Sequence, residues 1–481
     1  MPYPQTAPRL SHGPCEKGSL SLIIPICGGL DLNRACFTSI LKARSATGLP
    51  HELILVDNGS QDGSAAWMDG LQSRFDWVRV SRHATNKGFA EGCNSGLGCA
   101  RGEYLAILNN DTLIEARLFS KLLMALDRTE RVGLVAPVSN YVMGQQLTEL
   151  EEGEGAADVE AIADRLEREA KGKITEVQKV AGLCLLGRRE FFEEVGLFDP
   201  VYGLGNYEDE DLCLRARIEG CGLLIAQDAY VHHFGNQSFR HLGIDYERQL
   251  VQQKRLHRSR WRGNTLFCLE EALENKNFDR VLEQSHVLES DTHGRDWCLR
   301  ARAKALLERS QEEEALPLFQ EFVDRHPFHT ESACLLGFCL LQQDQVLEGR
   351  QRLACVLREG YLGDVFAASV LTRLARWCWS RDLHPEARQH LTSSKQICED
   401  FLPAKIIESG FLLEEARYDE ALALLAPCRD EPHTDVLTNL GIAHFHMGHE
   451  DQARADFEAG ARLGGPRSAA AKNLELLQHR T

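Results

Sequence analysis

The chain has 481 residues, with 54 Lys and Arg against 71 Asp and Glu, and a formal net charge of −17. This length exceeds what one hydrophobic core usually serves, so we expect two or three domains. The hydrophobic fraction of 43% and the charged fraction of 26% exclude wholesale disorder. No basic run stands out and the isoelectric point is about 5.6, which excludes nucleic acid as a main partner.

The 16 cysteines form no recognisable framework. The closest pair, Cys334 and Cys339, is five positions apart, so the short spacings of zinc and redox sites are absent. Reduced thiols in a cytoplasmic protein are expected. No segment approaches the roughly 18 apolar residues of a membrane span, and no transmembrane segment is predicted. Residues 1–19 are proline-rich without an apolar stretch, which predicts a flexible tail rather than a signal peptide.

Residues 20–262 alternate short apolar runs with helical patterns. The predicted strands are SLSLIIP, ELILVD, VRVS, EYLAILNND, VGLVAPVS, CGLLIA and YVHHF. Because several lack polar alternation, they indicate a Rossmann-like α/β domain with a mostly parallel sheet covered on both faces. Residues 148–177 form an acidic, helix-prone insertion, which fits either a solvated helix or a mobile segment over the site.

Residues 263–481 lack strand signals and show a helical repeat. Small residues that would open the second helix of each hairpin are spaced by 34, 34, 38, 34 and 32 positions; they are Val281, Ala315, Gly349, Ala387, Ala421 and Ala453. Five are preceded, about twelve positions earlier, by Ala303, Gly337, Ala375, Gly410 and Gly441. The pattern resembles the tetratricopeptide repeat and predicts an all-α solenoid. Binding of a partner, homodimer formation and support of the first domain all stay open.

Two acidic side chains follow apolar strands in the first half. Asp57 is followed by Asn58-Gly59, and Asp111 ends the triplet Asn109-Asn110-Asp111. Either segment alone also fits an ordinary Asx turn. At the carboxyl ends of strands, where α/β sheets bind ligands, Asp57 would contact a nucleobase or ribose. Asp111 would hold a divalent cation that balances a diphosphate in this acidic chain.

Four consecutive carboxylates, Glu208–Asp211, stand at a predicted helix start with Asn206 as N-cap. They fit complementation of the helix dipole. They also fit a general base, because crowded carboxylates raise the pKa of at least one member. Downstream, His232 and His233 are adjacent in a strand and point to opposite faces, so at most one of them joins Asp111 at a metal site.

In this order the segments resemble family 2 glycosyltransferases of the GT-A fold, over Leu20–Phe239. The matching segments are Ser21–Pro25, Val56–Ser60, Asn86–Phe89 with Asn94, Asn109–Asp111, Gly182–Leu186, Gly196–Asp199, Tyr207–Leu212, and His233 with Ser238. The resemblance implies a donor site made of Pro25, Asp57, Asn58, Asn86, Gly88, Asn94, Asn109, Asn110 and Asp111. It implies Asp209 as the catalytic base, with Gly182, Glu208 and Asp211 on the acceptor side.

The same resemblance implies an inverting transferase that uses a nucleoside-diphosphate sugar, with a UDP-sugar favoured because Asp57 would face uracil or its equivalent. The cofactor implied is Mn²⁺ or Mg²⁺ on Asp111 and His233, with His232 as the neighbour. A helical array joined to a transferase favours a protein or peptide acceptor. The alternatives are an enzyme that extends a cell-wall, capsule or lipopolysaccharide chain, and a catalytically dead repeat scaffold. Asn109 motivates the last alternative, since it stands where the family usually has Asp.

Overall fold

The computed structural model describes residues 7–10, 15–128, 131–235, 243, 245–285, 294–359 and 364–478. The chain divides into two compact units, Met1–Tyr361 and Leu362–Thr481. The change from strands to helices near residue 262 therefore falls inside the first unit. One compact body contains both the sheet and the first helices that follow it.

A nine-stranded sheet forms the centre of the first unit. Its strands are β1 (Glu16–Ile26), β2 (Glu52–Asn58), β3 (Val78–His83), β4 (Gly102–Leu108), β5 (Thr112–Ile114), β6 (Val132–Ser139), β7 (Ile174–Glu176), β8 (Cys184–Arg188) and β9 (Gly222–His233). The order is β3-β2-β1-β4-β8-β6-β9-β5, and β7 pairs with β9 on its own. Strands β1 to β4 are parallel, as are β6 and β9. Strand β8 is antiparallel to β4 and β6, and β9 is antiparallel to β5 and β7.

The expectation of a mostly parallel sheet is therefore wrong, because the sheet is mixed. A strand that is covered on both faces is an apolar run in the sequence, whether its neighbours are parallel or antiparallel to it. The sequence therefore does not indicate the relative direction of paired strands. The runs CGLLIA and YVHHF also belong to one strand, β9. Its pairing with β6 shifts register between Ala226 and Tyr230, which accommodates the polar residues between the two runs.

Helices cover both faces of the sheet in the first unit. They are α1 (Leu30–Thr47), α2 (Ser64–Arg74), α3 (Phe89–Cys99), α4 (Leu118–Leu126), α5 (Val159–Ala170), α6 (Arg189–Glu194) and α7 (Glu208–Ile218). Alternate residues of β1 point into different cores: Ile23 packs with α3, α5 and α7, whereas Leu22 and Ile24 pack with α1 and α4. This alternation is why β1 has no polar face.

Two sequence expectations need correction. Of residues 1–19, the structure describes 7–10 and 15–19, and these are not a flexible tail: Leu10 is buried in the core, the Pro8 carbonyl accepts a hydrogen bond from Leu197 N at 2.8 Å, and β1 already begins at Glu16. The acidic insertion is part of the domain, because α5 buries Ile162 and Leu166 in the same core and β7 extends the sheet. On α5 the acidic residues lie on the outer face of an amphipathic helix, as Glu160 and Asp164 do.

The remaining helices form successive hairpins. In the first unit they are α8 (Tyr246–Trp261), α9 (Thr265–Glu274), α10 (Phe278–Ser285), α11 (Arg295–Glu308), α12 (Glu312–Arg325), α13 (Thr330–Gln342) and α14 (Val346–Glu359). The second unit contains α15 (Asp364–Trp379), α16 (His384–Ile397), α17 (Leu402–Glu414), α18 (Tyr418–Leu425), α19 (Thr434–His446), α20 (Glu450–Gly464) and α21 (Ala469–Gln478). In the described residues, no helix is both long enough and apolar enough to cross a membrane.

The predicted small residues lie where helices approach closely. A Cβ on Gly337 would stand 2.7 Å from Leu353, and one on Gly441 would stand 2.5 Å from Phe457. Gly410 is an exception, since a Cβ there would meet no atom within 4 Å. The preceding residue, Ser409, is fully buried, and its spacing of twelve from Ala421 matches the other hairpins. The hairpin architecture is observed, whereas its assignment as a tetratricopeptide array stays a prediction.

Candidate active site

The parallel strands β1, β2 and β4 end at one edge of the sheet, and polar side chains join these ends. Gly28, just after β1, donates its N–H to Ser60 Oγ at 3.0 Å and accepts from Asn110 Nδ2 at 3.3 Å. Asp57, at the end of β2, accepts a hydrogen bond from Ser60 N at 2.9 Å, and its other oxygen lies 3.9 Å from Arg82 Nε. The predicted donor side of the site is therefore one connected edge.

Asn58 holds the loop that follows β3. Its Nδ2 donates to Asn86 Oδ1 and to the Gly88 carbonyl, both at 3.0 Å, and its Oδ1 accepts from Lys87 N at 3.0 Å. Gly59, with φ of +82°, lies so close to this loop that a Cβ would stand 2.7 Å from Asn86 N. Asn58 and Asn86 are thus occupied within the protein, and they shape the donor edge.

Three other predicted donor residues also have structural partners. Asn94 forms a reciprocal pair with the Phe198 backbone, at 2.8 and 3.1 Å. Asn110 Nδ2 donates to Asn33 Oδ1 at 2.6 Å as well as to Gly28. Pro25 packs against α3, where a Cβ on Gly92 would approach it to 3.1 Å. These residues fix loops around the site.

Several polar atoms near the same edge have no hydrogen-bond partner among the described residues. They are Oδ1 of Asn109, Nδ2 of Asn206 and Oε2 of Glu208. Asn206 and Tyr207 also have φ of 73°, a conformation rare for residues other than glycine. Asn206 is not the helix N-cap that the sequence predicted, because Tyr207 occupies that position. Unpaired polar groups and backbone strain both concentrate at functional sites.

Asp111 and His233 face each other across the pairing of β5 with β9, with His233 Nε2 3.3 Å from Asp111 Oδ1. The other ring nitrogen, Nδ1, lies 3.0 Å from the Tyr141 carbonyl, which only accepts hydrogen bonds. In a neutral imidazole, Nε2 would then be an acceptor facing a carboxylate, so the pair requires a proton or a cation between its members. Burial opposes the charged imidazole, but the hydrogen bond and charge of Asp111 outweigh it and raise the pKa of His233.

His232 points to the other side of β9, where its Nδ1 lies 3.1 Å from the Tyr230 hydroxyl. Burial and the neighbouring His233 lower its pKa. Among the described residues, no group of three His, Cys, Asp or Glu side chains could hold a metal ion. Ser238, which completes the predicted histidine segment, lies outside the described residues.

Asp209 lies in the first turn of α7, beside the segment that leads into β8. Its Oδ2 accepts a hydrogen bond from Gly182 N at 2.8 Å, and its Oδ1 accepts from Glu210 N at 2.9 Å. The next residue, Leu183, accepts from Asn109 N at 2.9 Å, which connects this carboxylate to the donor edge. Burial and the charge of Glu210 raise the pKa of Asp209 despite these hydrogen bonds. Glu208, just before it, is buried, and its pKa is raised well above the usual range by burial and by Asp209.

Asp211 belongs to a separate buried network. Its carboxylate accepts from Arg215 Nε and Trp261 Nε1, both at 2.9 Å, and from the Tyr202 hydroxyl at 3.2 Å. Tyr202 also lies 2.8 Å from His257 Nδ1 on α8. The structure therefore gives Asp211 the role of anchoring α7, while Asp209 remains next to the donor edge.

The sequence analysis identified Gly182 but missed residues 178–181, which hold the segment beside Asp209. Gln178 Nε2 donates to Glu270 of α9 at 3.0 Å, and Lys179 Nζ pairs with Glu210 at 2.9 Å. Ala181 N donates to the buried Gln146 side chain at 2.7 Å. Nothing in the sequence distinguishes Gln146 from a surface residue, because its partner lies 35 positions away.

Comparison with known proteins gives a match to the family model for glycosyl transferase family 2 over residues 21–196. The chain thus contains a family 2 glycosyltransferase domain, as its motifs predicted. An uncharacterised protein of Sinorhizobium fredii is 28% identical over 46% of this chain and 25% of its own length. The glycosyltransferase GlyG of Streptococcus pneumoniae is 28% identical over 25% of this chain and 40% of its own length. The chain therefore spans less than half the length of either relative.

Solved structures give weaker similarities. A crystal structure of GalNAc-T7 with UDP, GalNAc and Mn²⁺ has a TM-score of 0.37 at 20% identity, and covers 45% of this chain and 43% of that one. The mannosyltransferase PcManGT of Pyrobaculum calidifontis, in complex with GDP-Man and Mn²⁺, has a TM-score of 0.35 at 14% identity. This similarity covers 83% of this chain and 91% of the mannosyltransferase chain. These TM-scores are too low to assign a fold by similarity. The fold of this chain is therefore described from its own strand order.

Proposed function

We propose that this domain is an inverting GT-A glycosyltransferase, which moves a sugar from a nucleoside-diphosphate sugar to an acceptor with Asp209 as the base. The observation that carries the proposal is the placement of Asp209 against Gly182, one residue from the Leu183 carbonyl that Asn109 contacts. This places a carboxylate with a raised pKa beside the predicted donor edge. A base of this kind accepts the proton of the attacking acceptor group. Such general base catalysis increases the reaction rate by about 10²–10⁴-fold.

On the donor side, Asp57 binds the nucleobase and the unpartnered Oδ1 of Asn109 accepts a hydrogen bond from the ribose. We favour a UDP-sugar. Asp111 and His233 fit a divalent cation, because their facing acceptor atoms need a positive charge between them. Two protein ligands suit Mg²⁺ or Mn²⁺, which commonly complete their coordination with phosphate oxygens and water. When bound, the cation supplies the charge that stabilises the departing diphosphate.

Inversion follows from the use of one base and no covalent nucleophile: the acceptor attacks the anomeric carbon as the bond to the diphosphate breaks. The acceptor that we propose is a polypeptide. The support is the helical-hairpin region, whose first hairpins belong to the same compact unit as the site. We assign these hairpins to a tetratricopeptide-like array. The cell location that we propose is the cytoplasm, in keeping with 16 cysteines that all lie outside disulfide bonds.

The test begins with a thermal-shift panel of nucleoside-diphosphate sugars, each with and without Mn²⁺. A bound donor should raise the melting temperature, since ligand binding stabilises the folded state by mass action. With the donor thus identified, Asp209→Asn should abolish sugar transfer and retain the thermal shift. The matched control is Asp76→Asn, which changes an exposed carboxylate just before β3, and it should transfer normally.

Near-normal turnover by Asp209→Asn would refute the assignment of the base. Transfer to a saccharide chain, with no transfer to a polypeptide, would refute the polypeptide acceptor and support the saccharide-extending enzyme. Absence of donor hydrolysis and transfer by the unmodified chain, with every nucleotide sugar tried, would favour the repeat scaffold over an enzyme.

A further inference from the structure

A cleft of about 610 Å³ lies along one side of α7 within the first unit. Gln178 and Lys179 form one border, and side chains of α8, α9, α10 and α11 form the opposite wall. The cleft is therefore built jointly by the base-bearing helix and the first helical hairpins. The residues that line this cleft do not include any of the predicted donor-site residues.

The cleft begins beside the proposed base and follows one face of α7. Tyr207, Glu210, Leu214 and Arg217 line it, at the three- and four-residue spacing of a single helical face. Asp209 lies between the first two of these in the sequence. From Tyr207 to Arg217 the helix rises about 15 Å, at about 1.5 Å per residue. An extended chain covers that length with about four or five residues.

The walls carry charges of both signs, with seven Lys or Arg and five Glu among the lining residues. Arg217 is paired with Glu270, and Lys179 is paired with Glu210. Four exposed lining residues have no ion-pair partner among the described residues; they are Lys254, Lys276, Glu274 and Glu308. Lys and Arg thus outnumber Glu among the lining residues, although the chain as a whole has a net charge of −17.

Aromatic rings give the cleft an apolar part near the base. The Tyr207 ring lies 5.3 Å from that of His257, and Phe267 meets His257 edge to face at 5.6 Å. Gln178 and Lys179 keep this end next to Asp209, because the same segment continues to Gly182, whose N–H binds the Asp209 carboxylate. Asp209 is not itself a lining residue; its nearest lining neighbours in the chain are Tyr207 and Glu210, at this aromatic end of the cleft.

We propose that this cleft binds an extended segment of a polypeptide acceptor and delivers the residue to be glycosylated to Asp209. The inference rests on the proposed function and adds the place where the acceptor binds. A polypeptide matches the cleft in length and carries charges of both signs for the unpaired rim side chains. A neutral saccharide has no charges to offer these side chains, and an anionic saccharide would satisfy only the lysines.

The experiment uses the full chain and the donor found in the thermal-shift panel. Two probes are offered with labelled donor: a random-sequence pool of 15-residue peptides and a pool of neutral oligosaccharides. The test variant is Lys254→Glu/Lys276→Glu. Its matched control is Lys17→Glu/Lys42→Glu, which makes the same change of charge at two exposed lysines in β1 and α1. Surface substitutions of this kind have little effect on stability, and melting curves verify this.

The unmodified chain and the control should label the peptide pool. The cleft variant should lose about tenfold in kcat/KM for peptide, with donor hydrolysis unchanged, because rim charges govern the capture of a charged partner. Equal peptide labelling by variant and control would overturn the inference, as would labelling of the oligosaccharide pool or of neither pool. Absence of both donor hydrolysis and transfer in the unmodified chain would instead refute the proposed function, so the two failures are distinguishable.

Discussion

The carboxylates of Asp209 and Asp211 lie two positions apart on α7 and have different neighbours. Among the described residues, Asp209 accepts hydrogen bonds only from backbone N–H groups, those of Gly182 and Glu210. Asp211 is 1% exposed and shares its buried site with the Arg215 guanidinium, which is also 1% exposed. In the proposed mechanism Asp209 is the carboxylate that accepts a proton, whereas Asp211, neutralised by a buried arginine, holds the helix in place.

This difference predicts opposite effects of the same substitution. Asp211→Asn should lower the free energy of unfolding by about 3–5 kcal/mol, because it leaves the Arg215 charge buried without a counter-ion. Asp209→Asn should change it by less than about 1 kcal/mol, since no cation is left unpaired. Urea unfolding of both variants measures the difference. Equal destabilisation by the two substitutions would contradict the division of roles.

At the scale of elements, β7 is joined to the loop between α12 and α13 by a buried ion pair. His326 Nδ1 lies 2.6 Å from Glu176 Oε1, and its Nε2 lies 3.4 Å from Asp296 Oδ2. Burial opposes the charged ring, but the hydrogen bonds and charges of Asp296 and Glu176 raise its pKa to about 9. Arg325 pairs with Asp296 beside it, and His326 stacks on Phe322 at 4.4 Å.

The raised pKa predicts how stability depends on pH. A histidine with a pKa near 9 in the folded state and about 6.5 when unfolded stabilises the fold fully below pH 6.5. This stabilisation, about 3 kcal/mol, is lost as the pH rises through 9. Urea unfolding between pH 6 and pH 10 should show the decline in the unmodified chain and a flatter profile in His326→Gln. Parallel profiles for the two proteins would contradict the prediction.

The same elements show what the sequence could and could not predict. Strands β1, β2 and β4 were predictable because their apolar runs are short and are followed by residues typical of turns, which favours a buried strand over a buried helix. The direction of β8 and the pairing of β7 were not predictable, since neither leaves a periodic signal. At the candidate site, local motifs predicted that one histidine of the adjacent pair meets Asp111, and the structure places His233 against it. The pairing of His326 with Glu176 was not, because 150 positions separate them.

At the scale of the whole molecule, each compact unit has its own hydrophobic core. In the second unit, Trp379 stacks on Phe411 at 3.8 Å within one cluster, and Val436 belongs to another. In the first unit, backbone hydrogen bonds join the sheet domain to its hairpins, from Gly294 N to the Ile218 carbonyl at 2.6 Å and from Glu176 N to the Phe328 carbonyl at 2.9 Å. The first hairpins are therefore part of the body that contains the site.

This organisation predicts that two truncations will behave differently. A chain ending at Tyr361 keeps the first unit intact and should unfold cooperatively, with donor hydrolysis retained. A chain ending at Arg262, where strand signals cease, should be destabilised by at least about 3 kcal/mol. It loses Glu270, which pairs with the buried Arg217, and Trp297, whose ring lies 5.1 Å from that guanidinium. Urea unfolding and donor hydrolysis of both chains measure the contrast, and an equally stable, active chain ending at Arg262 would show that the sheet domain folds independently of the hairpins.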